Sequence, residues 1–272
     1  GFLVGSWLIY HFLWKSEFAH QKTNLALLLT AAFIVVLAIV LTHIFSGRGA
    51  FLQLGAMLAT WMTANVFFVI MPGQRKLVKA TLEGQPQDKR LSEEAGWRSL
   101  HNNYLTLPVM FCMISNHYPA SFGSAWNWAV LMALFVVGVL VRHYFNARTK
   151  IGNWKPLWLL IVAFVIFVGT ALFASYPQIK LSLEKSSAIS YSQVQPIFVQ
   201  RCVACHAAKT TYPAFPVAPK GVLLETEEQV RKQAALIGIQ VSSKAMPLGN
   251  LTQMTDEERA LVLKWVQQVQ RP

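Results

Sequence analysis

The stretch Cys202-Val203-Ala204-Cys205-His206 decides how the C-terminal part of the chain folds. Its pattern, C-x-x-C-H, is the attachment signature of c-type haem. Two thiols three positions apart can reach the two vinyl groups of one porphyrin, and the next residue places an imidazole on the iron. The stretch therefore predicts one covalent haem c, with Cys202 and Cys205 as thioethers and His206 as an axial ligand.

A second axial ligand is expected from a loop downstream of the haem motif. Met246 lies 40 residues after His206 in the Pro- and Gly-interrupted stretch Ala245–Asn250, and its thioether suits the opposite face of the iron. Met254 is the alternative, but it directly precedes a predicted helix and is better placed for packing. We expect His206 and Met246 to be the axial pair.

A zinc site is the other chemistry that a C-x-x-C pair supports. A structural zinc needs four ligands. The one remaining cysteine, Cys112, lies in an apolar segment, where a cysteine usually behaves as a small buried hydrophobe. The motif therefore favours haem over zinc.

Residues 188–272 have the length and the helix signals of a small class I cytochrome c domain. Ser190 and Ser192 are candidate caps for a helix that leads into the haem motif, and Thr255-Asp256-Glu257-Glu258 forms a capping box at the last helix. Residues 177–187 are predicted to be a linker. Four residues of the last helix recur at helical spacing and are expected to be buried: Leu261, Val262, Trp265 and Val266.

Residues 1–176 have the composition of a membrane domain. The chain is 54% hydrophobic and 13% charged, with a mean hydropathy of +0.39, which is typical of membrane proteins. Gly1–Trp14 is apolar but shorter than the roughly 20 residues that a span needs, so we interpret it as the end of a helix that begins upstream. Full spans are predicted at 24–45, 50–71, 97–117, 126–145 and 156–175. The predicted fold is all-α, a multi-span transmembrane helical domain followed by the class I cytochrome c domain.

The distribution of Lys and Arg predicts the orientation of these spans. The connections 15–23, 73–98 and 142–155 hold twelve Lys and Arg residues, whereas 46–49 and 118–125 hold one. Basic loops stay in the cytoplasm, so the C-terminal domain is predicted to lie on the opposite side, where haem c is attached. Because most of the net charge of +12 lies in such loops, the lipid bilayer is the expected partner and nucleic acid is not.

Polar residues within the predicted spans are candidates for function, because ionisable side chains are costly in a bilayer. An outer group consists of His43 and His117, which lie at the C-terminal ends of the predicted spans 24–45 and 97–117. A cytoplasmic group lies at the other ends of the spans. Either group could bind an organic anion, or two histidines could ligate a b-type haem. Hydrogen bonding to backbone and headgroups is the alternative for any single residue. The cytoplasmic group comprises His101, Asn102, Asn103, Arg142 and His143.

Several longer stretches share motifs with one known family. In the membrane domain they are Phe45–Arg48, Ala64–Phe68, Met71–Lys76, Arg98–Pro108 and Ser115–Pro119. In the C-terminal part they are Val194–Phe198, Pro219–Val222 and Ala245–Thr252. These stretches resemble the membrane-bound urate oxidases, bacterial enzymes of purine breakdown in which a multi-span domain is fused to a cytochrome c, also called PuuD-type urate hydroxylases. The family has further N-terminal spans, so the resemblance implies that such spans precede Gly1.

The resemblance implies a function that the residues alone do not. Urate would be oxidised to 5-hydroxyisourate at the bacterial inner membrane without hydrogen peroxide as a product. Electrons would leave through a periplasmic haem c to a respiratory acceptor such as a soluble cytochrome c or a terminal oxidase. From the residues alone, a membrane-anchored electron carrier for a separate catalytic subunit, or a quinol-oxidising cytochrome, remains the alternative.

Two locations for a urate site follow from the polar groups. His43 and His117 lie on the predicted side of haem c and could pass electrons to it directly, so we expect them to act together as haem ligands or as proton acceptor and urate anchor. The cytoplasmic group has the better anion chemistry, since Arg98 and Arg142 could pair with urate. A site there would need an intervening cofactor such as haem b, because the hydrocarbon core is about 30 Å thick.

Overall fold

The computed structural model describes residues 1–123, 126–152, 154–183 and 189–270, and within these ranges the chain forms helices, turns and irregular segments but no strand. The helices of the first part are α1 (Phe2–Lys15), α2 (Glu17–Gln21), α3 (Thr23–Ile44), α4 (Gly47–Asn65), α5 (Met71–Leu82), α6 (Lys89–Ile114), α7 (Asn127–Ile151) and α8 (Trp158–Leu183). Those of the second part are α9 (Tyr191–Arg201), α10 (Glu227–Lys232), α11 (Ala234–Ser242) and α12 (Asp256–Gln270). The predicted all-α class is confirmed for the described residues.

Contacts between backbone atoms divide the chain into two units. The first consists of residues 1–117 and 128–170, and the second of residues 118–127 and 171–272. The second unit therefore includes a short piece of the connection between α6 and α7, whose turn Pro119–Ser121 contacts α11. The sequence did not predict this association.

Four helical segments of the described chain are long and apolar enough to cross a membrane. They are Thr23–Ile44, Gly47–Leu82, Asn127–Lys150 and Trp158–Tyr176. The predicted span at 97–117 corresponds to α6, which is helical but does not reach this hydropathy. The first half of the predicted span carries Arg98, His101 and two asparagines, and these lower the mean hydropathy of the helix.

The segment from Gly47 to Leu82 changes its helical geometry in the middle. Residues Val66–Ile70 form a π-helix between α4 and α5. Pro72, the second residue after the π-helix, has no backbone N–H, so it cannot donate the regular bond to the carbonyl four residues earlier. The wider π turn is a local solution to this missing bond, and it begins directly after the buried residue Asn65.

Helix α6 lies against α4 and α7 at two points where small residues allow close approach. A Cβ atom on Gly55 of α4 would lie 2.6 Å from the Cβ of Cys112 on α6. On the other side, a Cβ on Gly138 of α7 would lie 2.9 Å from Cδ of Pro108. Small residues at helix crossings are typical of membrane bundles, and here they make α6 a central helix of the first unit.

The close approach at Gly55 leads to a prediction about stability. We expect Gly55→Ala to destabilise the protein by about 1–3 kcal/mol, because the added methyl group overlaps Cys112 and forces the helices apart. Gly96→Ala is the matched control, since Gly96 lies on α6 with no atom near its Cβ position. Thermal unfolding in detergent measures both variants. Equal unfolding temperatures would contradict the helix contact.

Helix α8 is longer than the sequence suggested. The predicted span ends at residue 175, but the helix continues to Leu183. Residues 177–183 of the predicted linker are therefore helical, and residues 184–188 lie outside the described part of the chain. A mixed-polarity stretch can extend a helix, because helix propensity does not end where hydrophobicity ends.

The second unit has a core built by α9, α11 and α12. Phe198 of α9 packs edge-on against Trp265 of α12 with ring centroids 5.9 Å apart. The capping box is confirmed, because Thr255 N–H donates to Glu258 Oε2 at 2.8 Å and Glu258 N–H donates to Thr255 Oγ1 at 3.2 Å. Val262, Trp265 and Val266 are buried as predicted, and Leu261 is half-buried.

Candidate functional site

The C-x-x-C-H segment begins where α9 ends. Cys202 terminates the helix, and the chain turns so that the His206 N–H donates to the Cys202 carbonyl at 2.9 Å. Neither Cys202 nor Cys205 forms a disulfide, and both are half-exposed. Desolvation by the surrounding core raises the pKa of the Cys202 thiol to about 12. Burial also raises the pKa of the Cys205 thiol, so both sulfurs are protonated thiols at neutral pH.

The imidazole of His206 is oriented by a loop that follows it. Its Nδ1 lies 3.0 Å from the Val222 carbonyl oxygen, and the Leu224 N–H donates to the His206 carbonyl at 2.8 Å. A carbonyl only accepts, so Nδ1 carries the proton and Nε2 is left with its lone pair. A hydrogen bond from one ring nitrogen to a backbone carbonyl, as His206 forms with Val222, is the usual way in which a protein orients a histidine that binds a metal through its other nitrogen.

The backbone of Met246 is held by an arginine that sequence reasoning missed. Arg259 of α12 is buried, and its Nη1 donates to the Met246 carbonyl at 2.7 Å. Its Nη2 donates to Asn250 Oδ1 at 3.1 Å. The Met246 N–H donates to the Gln240 carbonyl at 3.0 Å. Both sides of the Met246 peptide are thus fixed while its side chain stays half-buried.

Met254 differs from Met246 in its surroundings. It is 3% exposed and belongs to the hydrophobic core of the second unit. Asn250 accepts from the Met254 N–H and donates to the Met254 carbonyl, which fixes this residue in the core. Its position fits the packing role that we expected for it.

A second arginine links the haem motif to the start of α12. Arg201 directly precedes Cys202 and donates from Nη2 to Glu258 Oε1 at 2.9 Å. Its Nη1 donates to the Thr252 carbonyl at 2.6 Å. The hydrogen bond from Arg201 lowers the pKa of Glu258. The C-x-x-C-H segment and the loop that ends at Thr252 are therefore connected by hydrogen bonds between residues far apart in sequence.

In the first unit, the most buried polar network joins α1, α4 and α6. The Tyr10 hydroxyl lies 2.7 Å from His101 Nδ1, and Asn65 Nδ2 donates to the same hydroxyl at 3.2 Å. Asn65 Nδ2 also donates to Asn102 Oδ1 at 3.0 Å, and Asn102 Nδ2 donates to the Met62 carbonyl at 2.9 Å. Tyr10 and Asn65 are almost fully buried. This network stacks against Trp61, whose ring lies 4.5 Å from that of Tyr10.

Arg98 lies beside this network and is buried with few partners. It is 2% exposed, its Nη2 donates to the His11 carbonyl at 3.0 Å, and its Nη1 has no hydrogen-bond partner among the described residues. The guanidinium carbon lies 4.6 Å from the centre of the Tyr10 ring. No ion pair to a carboxylate is formed by Arg98 within the described ranges.

A second polar cluster joins α6 to α7. Arg142 Nε donates to Asn103 Oδ1 at 2.8 Å, and Asn146 Nδ2 donates to the same oxygen at 2.9 Å. One residue further along α6, the Tyr104 hydroxyl lies 2.6 Å from His143 Nδ1. This cluster is half-exposed, unlike the network around Asn65.

The cytoplasmic group of the sequence prediction is therefore divided between two faces of α6. Asn103 contacts Arg142 as that grouping suggested. His101 and Asn102 instead contact Tyr10 and Asn65, because successive helical residues point about 100° apart. Within the described part of the chain, His101 forms no hydrogen bond with Arg142 or His143.

The outer pair is less connected. His43 is exposed and its Nδ1 lies 2.7 Å from the Ile39 carbonyl of its own helix. His117 is exposed on the turn Ser115–His117 after α6. The hydrogen bonds of the described residues include none between these two histidines. Their neighbours Arg48 and Asn116 do join α4 to this turn by a side-chain hydrogen bond.

Comparison with known families identifies the family to which residues 1–174 belong. The family model described as urate oxidase N-terminal matches residues 1–174. The chain belongs to the urate oxidase N-terminal family. No curated protein and no solved structure matches it. The match to the urate oxidase N-terminal family contains both polar clusters of α6 and ends before the C-x-x-C-H segment begins.

Several residues of this urate oxidase N-terminal region escaped the sequence prediction. Tyr10 was assigned to an incomplete span and given no role, and Trp61 was not singled out. Each reaches partners from other helices, so no local pattern marks it. A buried aromatic hydroxyl requires a hydrogen-bond partner, and this rule was the one signal that could have drawn attention to Tyr10.

Proposed function

We propose that this protein is a membrane-bound urate oxidase that passes electrons to the respiratory chain through a covalent haem c. Urate and water would give 5-hydroxyisourate, two protons and two electrons, with no hydrogen peroxide formed. The observation that carries the proposal is the joining of two features in one chain. The urate oxidase N-terminal family covers residues 1–174, and a C-x-x-C-H segment with an oriented histidine follows it.

The residues of the second unit fit a haem c. Cys202 and Cys205 offer two thiols, His206 has a free Nε2, and Met246 lies on a loop whose backbone is fixed by Arg259. When bound, the haem supplies an iron that accepts one electron at a time. The chain contributes the attachment, the axial ligands and the orientation of His206 by Val222.

Axial ligation leads to a prediction that separates the two methionines. We expect Met246→Ala to abolish the weak sulfur-to-iron charge-transfer absorption of the oxidised protein, because the thioether ligand is lost. Met254→Ala should keep that absorption but lower stability by about 2–5 kcal/mol, since it leaves a cavity in the core. Absorption spectra and thermal unfolding give both results. The opposite pattern would assign Met254 as the ligand.

A location in the bacterial inner membrane is supported by the apolar surface of the first unit. Helix α8 exposes large side chains along much of its length, among them Phe164 and Val165, which are 66% and 63% exposed. Exposed apolar surface of this extent marks contact with another apolar phase, and lipid is that phase here. The Lys and Arg distribution supports a periplasmic C-terminal domain.

The polar residues of α6 support a urate site in the helical unit. His101 and Asn102 belong to a buried network with Tyr10 and Asn65, whereas His43 and His117 are exposed. Buried polar residues in a membrane protein are costly and therefore usually functional. We accordingly place oxidation at α6 rather than at the outer pair, with Asn103, Arg142 and His143 as a neighbouring cluster on the same helix.

Proton transfer has a defined acceptor in this network. The Tyr10 hydroxyl accepts from Asn65, so its own proton points to His101 Nδ1. His101 thus holds an unprotonated nitrogen against a phenol, which is the arrangement of a general base acting through a hydroxyl. Electrons from this end of the spans would need an intervening carrier to reach haem c, and the b-type haem predicted from the sequence would supply it.

A steady-state assay tests the proposed function. Purified protein in detergent is given urate and an excess of oxidised soluble cytochrome c, and the loss of urate absorbance is compared with the cytochrome reduced. We expect two molecules of cytochrome reduced for each urate consumed and no hydrogen peroxide. Peroxide formation in proportion to urate would contradict the haem-linked reaction. Reduction by a quinol but not by urate would support the carrier function instead.

A further inference from the structure

The feature that the proposed function leaves unexplained is the burial of Arg98. A guanidinium is always charged, and a buried charge without a counter-ion costs several kcal/mol in an apolar environment. Arg98 is 2% exposed, donates to a backbone carbonyl, interacts with the Tyr10 hydroxyl, and leaves Nη1 without a hydrogen-bond partner among the described residues. Such a group is the natural partner of an anion that presents oxygen or deprotonated nitrogen to it.

A second unpaired atom belongs to Asn65, which also contacts Tyr10. Asn65 is fully buried, and its Oδ1 has no hydrogen-bond partner among the described residues. Its orientation is determined by its neighbours. The Met62 carbonyl requires the amide N–H of Asn102, so Asn102 presents its oxygen to Asn65, and Asn65 must present Nδ2 in return. The Asn65 oxygen is therefore an acceptor that lacks a donor.

The two unpaired atoms together define the chemistry of a ligand. Arg98 requires negative charge, and Asn65 Oδ1 requires a hydrogen-bond donor. Carboxylates and sulfate carry the charge but have no hydrogen-bond donor at neutral pH. A planar ureide anion carries both, since its ring alternates carbonyl groups, N–H groups and a deprotonated nitrogen. Both residues contact Tyr10, with the Arg98 guanidinium over its ring and Asn65 on its hydroxyl.

We propose that Arg98 and Asn65 form the binding site for a planar ureide anion between α1, α4 and α6. The proposal rests on the proposed function, in which the urate monoanion is such a ligand, and it assigns the substrate to the Tyr10 face of α6. Both atoms are shielded from solvent in this conformation. Entry of a ligand therefore requires α1 to move, and Arg98 is bonded to α1 through the His11 carbonyl.

Equilibrium binding of radiolabelled urate to the full-length, haem-loaded protein under anaerobic conditions tests this site. We expect Arg98→Gln to weaken binding roughly 10- to 150-fold, the range for lost hydrogen bonds to a charged group. Arg98→Lys should bind with intermediate affinity, because it keeps the charge and loses the planar fork. Arg90→Gln is the matched control, on the same helix but exposed and paired with Glu17 and Glu94.

Stability measurements separate binding from folding. Removing an unpaired buried charge does not destabilise a protein as removing a structural one does, so we expect Arg98→Gln to unfold at or above the wild-type temperature. We also expect urate to raise the unfolding temperature of the wild type and not that of Arg98→Gln. Urate binding by Arg98→Gln at wild-type affinity would overturn the site and leave the proposed function intact.

The remaining outcomes address the ligand class and the proposed function. Inorganic sulfate should compete with urate at least roughly 10-fold more weakly than unlabelled urate does, because it has no proton to donate to Asn65. Equal competition would overturn the role of Asn65. If urate does not reduce the haem of the wild type, the proposed function is wrong. The proposed binding site is then tested by the equilibrium binding of urate alone. Urate binding that is lost in Arg98→Gln would then support it, and no urate binding by the wild type would overturn it.

Discussion

The double variant Cys202→Ser/Cys205→Ser will lose covalent haem and reduce urate-dependent electron transfer to the level of haem-free membranes. Thioether attachment needs sulfur, and a serine hydroxyl does not replace it. The two cysteines lie in one turn after α9, with His206 directly following. Haem staining of a denaturing gel measures attachment, and reduction of soluble cytochrome c by urate measures electron transfer.

Cys112→Ala provides the control for this experiment. Cys112 is the third cysteine and lies buried on α6 against Gly55. Its removal changes helix packing but no residue of the C-x-x-C-H segment, so covalent haem should be retained. Haem that remains covalently bound in the double serine variant would contradict the assignment of Cys202 and Cys205.

His101→Ala will slow urate-dependent reduction of the haem far more than His117→Ala. His101 accepts the hydrogen bond of a buried tyrosine, and general-base catalysis typically contributes 10²–10⁴-fold, so we expect a loss on the order of 100-fold or more. His117 is exposed on a turn after α6, and its replacement should change the rate less than about 3-fold. Haem content is held equal by scaling to the reduced spectrum.

The comparison of these two histidines also separates the two locations for the urate site. A normal rate in His101→Ala together with a large loss in His117→Ala would move the site to the outer pair. Tyr10→Phe gives an independent measurement, since it removes the hydroxyl between Asn65 and His101 and keeps the ring that stacks on Trp61. We expect it to slow the reaction without preventing the protein from folding.

Local signals in the sequence predicted the local structure well. The capping box at Thr255 and the buried positions of α12 depend on residues three or four apart, where helix geometry determines which side chains meet. Apolar runs identified α3, α7 and α8 for the same reason, because a membrane helix needs no partner to reveal its hydrophobicity. The sequence did not indicate that α8 continues beyond its apolar part, since its last residues are of mixed polarity and still helical.

Contacts between distant segments could not be predicted in this way. Arg259 fixes the Met246 carbonyl, and Arg201 pairs with Glu258 across more than fifty residues. Neither arginine belongs to a motif, so sequence reasoning gave them no role. The buried network of α6 shows the same effect, because the position of Tyr10 next to His101 depends on how α1 packs against α4 and α6.

Helix periodicity alone is enough to separate the members of the cytoplasmic group. His101 and Asn103 are two positions apart, so they lie on different faces of a helix and cannot belong to one tight cluster. The sequence prediction grouped them by their depth in the membrane and did not take the face of the helix into account. The structure assigns Asn103 to the α7 side and His101 to the α1 side.

The most direct test of the central claim is anaerobic mixing of urate with the purified, oxidised protein while the haem α-band is recorded. We expect excess urate to reduce haem c to the same extent as ascorbate does. A haem that ascorbate reduces fully but urate leaves oxidised would contradict it, and the chain would then be an electron carrier for another catalytic protein.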